Sequence, residues 1–378
     1  MFKNLTNILK KIKFFSSSLN VLTDLRNVKP KFIFFSENKS YQKYLKPIIR
    51  TLILNNTHQV YYLSIDKDDK INDKRVSNYF IHPLLMNFIF NSIKAENIFL
   101  TLTDLGNNLI KKTKNIDNYI YYFHSPVSTT KNYTPKAFDN YDVIMCNGQY
   151  QVDEIRSREH LKKLNKKKLI PSGYFYFDHL IKNINQNINC NEILIAPSWN
   201  KNIRNSINEN FIVLIDTLIK KNFKVIFRPH PEHFKRSMNI LDNIKKRFSG
   251  ESFKFDVDAN NIKSMERSKC LITDNSGIAI EYVIALKRPV LYLNEYDKIH
   301  NSNFEMFKNL EPMEDVIKKN FGYTFNKNQI HDIDKIIEKS LIDFNEKNID
   351  NFINSNFYNF KNTISYFDKN LTKICKNL

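Results

Sequence analysis

Two short polar stretches hold the residues of this chain best suited to chemistry. The first is Arg228-Pro229-His230-Pro231-Glu232, which follows the apolar run Val225-Ile226-Phe227. Arg228 can fork onto a phosphate or pair with a carboxylate. His230 can give or take a proton near neutrality, or simply pack on its loop. The two prolines forbid regular pairing and fix a loop at the strand's carboxyl end, where open parallel α/β sheets bind their ligands. The second stretch is Thr273-Asp274-Asn275-Ser276-Gly277, between Cys270-Leu271-Ile272 and Ile278-Ala279-Ile280-Glu281. A helix that starts there offers unpaired N–H groups and the positive end of its dipole to an anion. Ser276 adds a hydroxyl donor, and Gly277 lets a ligand approach the backbone. Asn-Ser-Gly also starts helices for capping alone, but the Arg-Pro-His-Pro loop upstream favours a phosphorylated ligand.

These stretches must be positioned by strands and helices, and the sequence supplies both in alternation. Lys31–Ser36, Val60–Leu63, Asn97–Thr101, Tyr119–Phe123 and Val143–Cys146 are apolar runs of the kind parallel strands show when both faces are buried. Polar or helical stretches separate them. After the turn Pro171-Ser172-Gly173 and the Asn-rich 183–191, the pattern restarts with Glu192–Ala196, Phe223–Phe227, Phe253–Asp256 and Val290–Leu293. Two such arrays predict an α/β chain of two Rossmann-like domains with parallel sheets facing across a cleft. The expected division is a leader over 1–28, an N-terminal acceptor domain over 29–185 and a C-terminal nucleotide-donor domain over 190–345. The helices of 346–378 are expected to cross back to the first domain.

A chain of 378 residues is long enough for two such domains, and its formal net charge of +19 points to an anionic partner. No RNA- or DNA-binding motif accompanies that charge, so nucleic acid is not the expected partner. Lysine runs such as Lys166-Lys167-Lys168 read as solvated faces, and Asp66-Lys67-Asp68-Asp69 as an exposed loop. Cys146, Cys190, Cys270 and Cys375 have no zinc-type spacing and read as reduced thiols of a cytosolic protein. No metal cluster is apparent. No stretch approaches the roughly 18–20 apolar residues of a spanning helix. At the start, however, Phe2, Leu5, Leu9, Ile12 and Phe15 recur at helical spacing among Lys3, Lys10, Lys11 and Lys13. Such a helix can lie on an anionic membrane surface or pack on the first domain. With the overall basicity it favours a cytoplasmic protein held peripherally at the inner face of the cell membrane.

Taken together, the motifs resemble those of the CDP-glycerol glycerophosphotransferases of the teichoic-acid polymerase and primase type. Arg228-Pro229-His230-Pro231 is similar to that family's strand-end His-Pro. Thr273–Gly277 with Glu281 is similar to its Thr/Ser-Asp-x-Ser-Ser/Gly turn and the acidic residue beyond. Ala196-Pro197-Ser198-Trp199 resembles its Ala-Pro-Thr-Trp segment at the domain junction, and Tyr122-Phe123-His124-Ser125-Pro126 its strand-end His-Gly loop. Ala137–Asp142 and Pro171-Ser172-Gly173-Tyr174 fit the same pattern. The resemblance spans 115–295. Gly277 stands in place of the second Ser, Glu281 in place of the usual Asp, and Ser125 in place of the glycine after the first histidine.

The resemblance implies a GT-B fold and a transferase without cofactor or metal. It would move a glycerol-phosphate or similar polyol-phosphate group from a CDP-activated donor to a lipid-linked or glycan acceptor, in teichoic-acid or capsule-like polymer synthesis, and release CMP. His124 and His230 would be the catalytic pair, with His124 the general base on the acceptor hydroxyl. Arg228, His230, Ser276 and the Gly277 N–H would hold the donor diphosphate and stabilise the leaving CMP. Glu281 would meet the ribose, and Thr273 and Asn275 would shape the turn. Asp274 is as well placed to be a structural cap as a ligand contact. Ser198 and Ser125 are candidates to line the cleft, while Trp199 reads as packing. The other histidines, His233 and His300 among them, read as surface or structural. Competing readings are a GT-B glycosyltransferase using a nucleotide sugar, a nucleotide-sugar 2-epimerase and a non-catalytic polyanion-binding protein.

Overall fold

Unbroken apolar runs form parallel strands here because helices cover both faces of each sheet. The computed structural model describes residues 15–16, 18–55, 59–106, 110–185, 188–200, 207–258, 260–294 and 297–375. The leader positions Phe2, Leu5, Leu9 and Ile12 lie outside the described residues. Residues 18–25 are helical, and Val21 and Leu25 are fully buried. The chain divides into two units, each built on one wholly parallel sheet, which is the doubled α/β architecture of the GT-B class.

The first unit comprises residues up to His124, Lys136–Asp178 and the chain from Tyr358 on. Its strands are β1 (Phe32–Ser36), β2 (Val60–Ser64), β3 (Val76–Phe80), β4 (Ala95–Leu100), β5 (Ile116–Tyr122), β6 (Val143–Cys146) and β7 (Lys168–Pro171). They lie in the order β3-β2-β1-β4-β5-β6-β7, so the winding reverses between β1 and β4. Phe32 of β1 pairs with Val60 on one side and Asn97 on the other, and the Phe34 and Phe99 rings stack at 4.6 Å. The helix Gln42–Asn55 buries Leu45, Ile48, Ile49, Leu52 and Ile53, the helical-period stripe that its sequence shows. Near the chain's end Phe367, Leu371 and Ile374 join the same core. The helix Thr363–Lys369 is fastened by Asp178, which accepts the Thr363 N–H at 2.9 Å and its hydroxyl at 2.7 Å. Gly173 has φ +80°, and any Cβ there would strike the Tyr358 carbonyl.

The second unit comprises Ser125–Pro135 and His179–Phe357. Its strands are β8 (Glu192–Ile195), β9 (Lys224–Phe227), β10 (Phe253–Phe255), β11 (Ser268–Thr273), β12 (Val290–Leu293) and β13 (Gly322–Phe325), in the order β10-β9-β8-β11-β12-β13. The helix Glu209–Lys220 contributes Phe211, Ile212, Leu214, Ile215 and Leu218 to the core. Here the winding reverses between β8 and β11. In open α/β sheets ligands bind outside the carboxyl ends of the strands at such a reversal. The segments after β8, β9 and β11 are Ala196-Pro197-Ser198, Arg228-Pro229-His230 and Asp274–Gly277.

Three strands that sequence reading did not single out, β3, β7 and β13, are all at sheet edges. An edge strand needs no continuous apolar run, and β7 tolerates a lysine and a proline for the same reason. Asp69, expected in an exposed loop, is instead 2% exposed. It accepts the Tyr62 and Ser64 hydroxyls at 2.9 Å. Cys146, Cys270 and Cys375 are buried thiols and Cys190 is half-buried. Among the described residues no helix is long and apolar enough to cross a membrane.

Candidate active site

In the second unit, one carboxylate organises the reversal between β8 and β11. Asp274 is 3% exposed and follows directly on β11. Its two oxygens accept the Ser198 N–H and the Ser198 hydroxyl, each at 2.7 Å. Thr273 donates its hydroxyl to the Ala196 carbonyl at 2.7 Å. The loop after β8 is therefore tied to the turn after β11 by three short hydrogen bonds. From below, the Nε2 of His233 lies 3.1 Å from the Ser198 carbonyl. His233 is fully buried, and that burial lowers its pKa. Asp274 thus acts as the structural fastening, with Ser198 as its partner.

Asn275, Ser276 and Gly277 follow, all half-buried, and the helix Ile278–Leu286 begins on Gly277. Among the described residues no side chain caps this helix start. Its first N–H groups are of the kind that satisfies an anion. Gly277 has a second use inside the protein. A Cβ there would lie 2.5 Å from the Ser125 Oγ and 3.1 Å from the Val127 Cγ1. The glycine admits Ser125 close to the turn, which places the two in one neighbourhood. Glu281, one turn along the helix, is 5% exposed and lies 3.4 Å from the Asn261 amide nitrogen.

The loop after β9 holds Arg228 and His230 by different means. Arg228 bonds the Asp256 carboxylate at 2.6 Å and the Asp258 carbonyl at 2.7 Å. Burial pushes the Asp256 carboxyl up, but the Ser264 hydroxyl and the Arg228 guanidinium outweigh it and hold the group below the usual range. Arg228 is therefore largely neutralised within the protein. His230 is exposed, and its Nδ1 accepts the Glu232 N–H at 3.2 Å across the start of the helix Pro231–Arg236. That bond assigns the proton of the neutral ring to Nε2, which can then donate to a ligand. Trp199 is half-buried beneath the Arg236 guanidinium, 5.1 Å from its ring centre.

The segment Ser125–Pro135 is fixed within the same unit by the helix Met313–Phe321 and the loop after β12. Glu314 accepts the Ser128 N–H at 2.9 Å and also the Asn132 amide, while Lys131 pairs with Asp315 at 2.6 Å. His300 and Asn301 donate their N–H groups to the Lys131 carbonyl at 2.9 and 3.2 Å. Burial raises the Glu314 carboxyl to about 7. Sequence reading missed Glu314, Asp256 and the burial of His233, because each acts through partners far away in the chain.

His124 closes β5 in the first unit and is half-buried. Its carbonyl accepts the Tyr174 hydroxyl at 3.1 Å, and its ring lies 5.1 Å from Tyr41 and 6.1 Å from Tyr44. Lys43 lies over the Tyr44 and Tyr176 rings. Burial, helped by Lys43, outweighs a hydrogen bond with the Thr101 backbone and lowers the imidazole pKa to about 4. The ring is consequently neutral at pH 7 and can accept a proton. Among the described residues no group of three or more His, Cys, Asp or Glu side chains could hold a metal ion.

Two α/β units, each built on one wholly parallel sheet, define the GT-B fold class. Wall teichoic acid polymerase TagF has a similar fold, with a TM-score of 0.62, 18% identity, and coverage of 98% of this chain and 96% of that one. A TagF variant soaked with CDPG matches with a TM-score of 0.60, 19% identity, and coverage of 98% and 95%. The UDP-GlcNAc 2-epimerase of Methanocaldococcus jannaschii, in complex with UDP-GlcNAc and UDP, has a TM-score of 0.57, 13% identity, and coverage of 92% and 100%. No curated protein matches the sequence. The profile of the CDP-glycerol:poly(glycerophosphate) glycerophosphotransferases matches residues 22–309, and the chain belongs to that family. It is a transferase of the glycerophosphotransferase class, whose donor is CDP-glycerol and whose acceptor is a polymer.

Proposed function

We propose that the chain moves a glycerol-phosphate group from CDP-glycerol to a hydroxyl of a lipid-linked or glycan acceptor in teichoic-acid or capsule-like polymer synthesis, releasing CMP. The observation that carries this reading is the turn locked by Asp274 and Ser198 at the reversal of the second sheet, in a chain of this family. His124, neutral at pH 7, takes the acceptor proton as the acceptor oxygen attacks the β-phosphorus of the donor. The new P–O bond forms as the bond to the bridging oxygen breaks, and CMP leaves with that electron pair. The Nε2–H of His230, the Ser276 hydroxyl and the Gly277 N–H meet the diphosphate and the charge that develops on CMP. Arg228, anchored by Asp256, supports the same subsite. Glu281 meets the ribose, Thr273 and Asn275 hold the shape of the turn, and Ser198 and Ser125 line the subsite.

The test is release of CMP from CDP-glycerol by the purified chain, with and without a lipid-linked poly(glycerophosphate) acceptor. Acceptor-dependent CMP release is expected. Release of UDP from UDP-GlcNAc without acceptor, and no CMP, would refute the reading. The net charge of +19 supports work at the inner, cytoplasmic face of an anionic membrane. Sedimentation with anionic liposomes should fall when residues 1–20 are deleted, and unchanged sedimentation would remove the leader from that role.

A further inference from the structure

Ser125 meets the turn of the second sheet at the start of a strap, residues 125–135, that is fastened further along. A Cβ on Gly277 would lie 2.5 Å from the Ser125 Oγ, so the serine hydroxyl stands against the backbone where the helix Ile278–Leu286 begins. The N–H groups of that helix start and the hydroxyl are hydrogen-bond donors side by side. Only Pro126 and Val127 separate Ser125 from Ser128. The proline ring fixes its own φ, and Val127 is buried with its Cγ1 3.1 Å from the same Cβ position. Ser128 is fully buried and donates its N–H to one oxygen of Glu314 at 2.9 Å, while the Asn132 amide bonds the other oxygen. Glu314 is itself buried, in the first turn of the helix Met313–Phe321. Beside it Asp315 holds the buried Lys131 ammonium at 2.6 Å. Hydrogen bonds to a carboxylate are roughly twice as strong as neutral ones. A Ser128 held in this way leaves Ser125 little freedom to move off Gly277.

We propose that Glu314 is a positioning residue of the donor subsite: by clamping the strap at Ser128 and Asn132 it sets the Ser125 hydroxyl beside the Gly277 N–H, where both donate to the donor's phosphate oxygens. The assignment rests on the donor reading above. Glu314 touches no substrate and acts through Ser125. Misplacing a group in such a site by about 1 Å costs up to about 100-fold in rate, which is the range a loosened strap would produce.

The test measures kcat/KM for acceptor-dependent CMP release from CDP-glycerol, with the melting temperature as a check on folding. The proteins are wild type, Ser125→Ala, Glu314→Ala, Glu314→Gln and the variant carrying both alanines. Ser125→Ala and Glu314→Ala should each lower kcat/KM by roughly 10- to 100-fold. The double variant should lose no more than about threefold beyond Ser125→Ala, because Glu314 acts through the hydroxyl already removed. Glu314→Gln keeps an oxygen for the Ser128 N–H and should recover most of the loss. Where Glu314→Ala does not fold, Asn132→Ala removes one of the two donors from the strap side and takes its place in the same cycle. Losses that multiply in the double variant overturn the proposal, since Glu314 would then act by a route other than Ser125. Unchanged kcat/KM in a folded Glu314→Ala or in Ser125→Ala overturns it as well. A wild type that releases UDP from UDP-GlcNAc and no CMP, with the same non-additive loss of that release, would keep Glu314 in its role and overturn only the CDP-glycerol donor.

Discussion

Acidification should act on His124 in two ways that one substitution separates. The ordinary histidine pKa is 6.5, and burial, helped by Lys43, holds this ring at about 4. Between those values the unfolded chain takes up a proton that the folded chain refuses. The folded pKa is depressed, so the neutral ring's contribution is fully present above about 6.5 and is lost as the pH falls toward 4. At pH 5 the difference amounts to about 2 kcal/mol, and at pH 7 it is close to nothing. His124→Gln removes the group, so the variant should lose about 2 kcal/mol less stability than wild type between pH 7 and pH 5. Urea unfolding of both proteins at the two pH values measures this, and every other titrating group cancels in the comparison. Equal losses would refute the buried, neutral ring.

The same substitution tests the chemistry. A general base held at about 4 keeps its accepting form throughout the neutral range, so CMP release should stay level downward from pH 7 until the pH nears 4. His124→Gln should reduce turnover by two orders of magnitude or more while leaving the calorimetric affinity for CDP-glycerol within about threefold. Full turnover in the purified variant would end the assignment of His124 as the base.

Two further substitutions probe the turn. Asp274→Ala leaves the Ser198 N–H and hydroxyl without their buried acceptor, so it should lower stability by about 2–4 kcal/mol in urea unfolding. A loss below about 0.5 kcal/mol would show that the loop after β8 is held by something else. Gly277→Ala places a Cβ 2.5 Å from the Ser125 Oγ and should cost about 1–3 kcal/mol. Ser125→Ala in the same chain should recover most of that loss, and a double variant as unstable as the single one would refute the close approach.

The interior of both sheets was legible in the sequence because a strand buried on two faces must be apolar at every position. β6 and β12 show that run throughout, and β1 and β8 show it apart from Ser36 and Glu192 at one end, with every residue buried. Edge strands escape the rule. β3 reads Val-Ser-Asn-Tyr-Phe with only Val76 buried, and nothing local distinguishes it from a loop. The turn Thr273–Gly277 was legible for a related reason, since a helix start after an apolar strand needs small and hydroxyl-bearing residues whether or not a ligand binds.

What the sequence did not disclose is how charge is distributed among partners. Arg228 is a cation at the carboxyl end of β9, and by type an arginine is a good phosphate ligand. The outcome is set by residues far away in the chain. Asp256 neutralises Arg228 across a separation of 28 residues. A motif therefore identifies where a diphosphate can sit, while tertiary pairing decides which cation retains charge for it. The same logic applies to His124. Its residue type permits proton transfer, but it is burial and Lys43 that hold the ring neutral at pH 7.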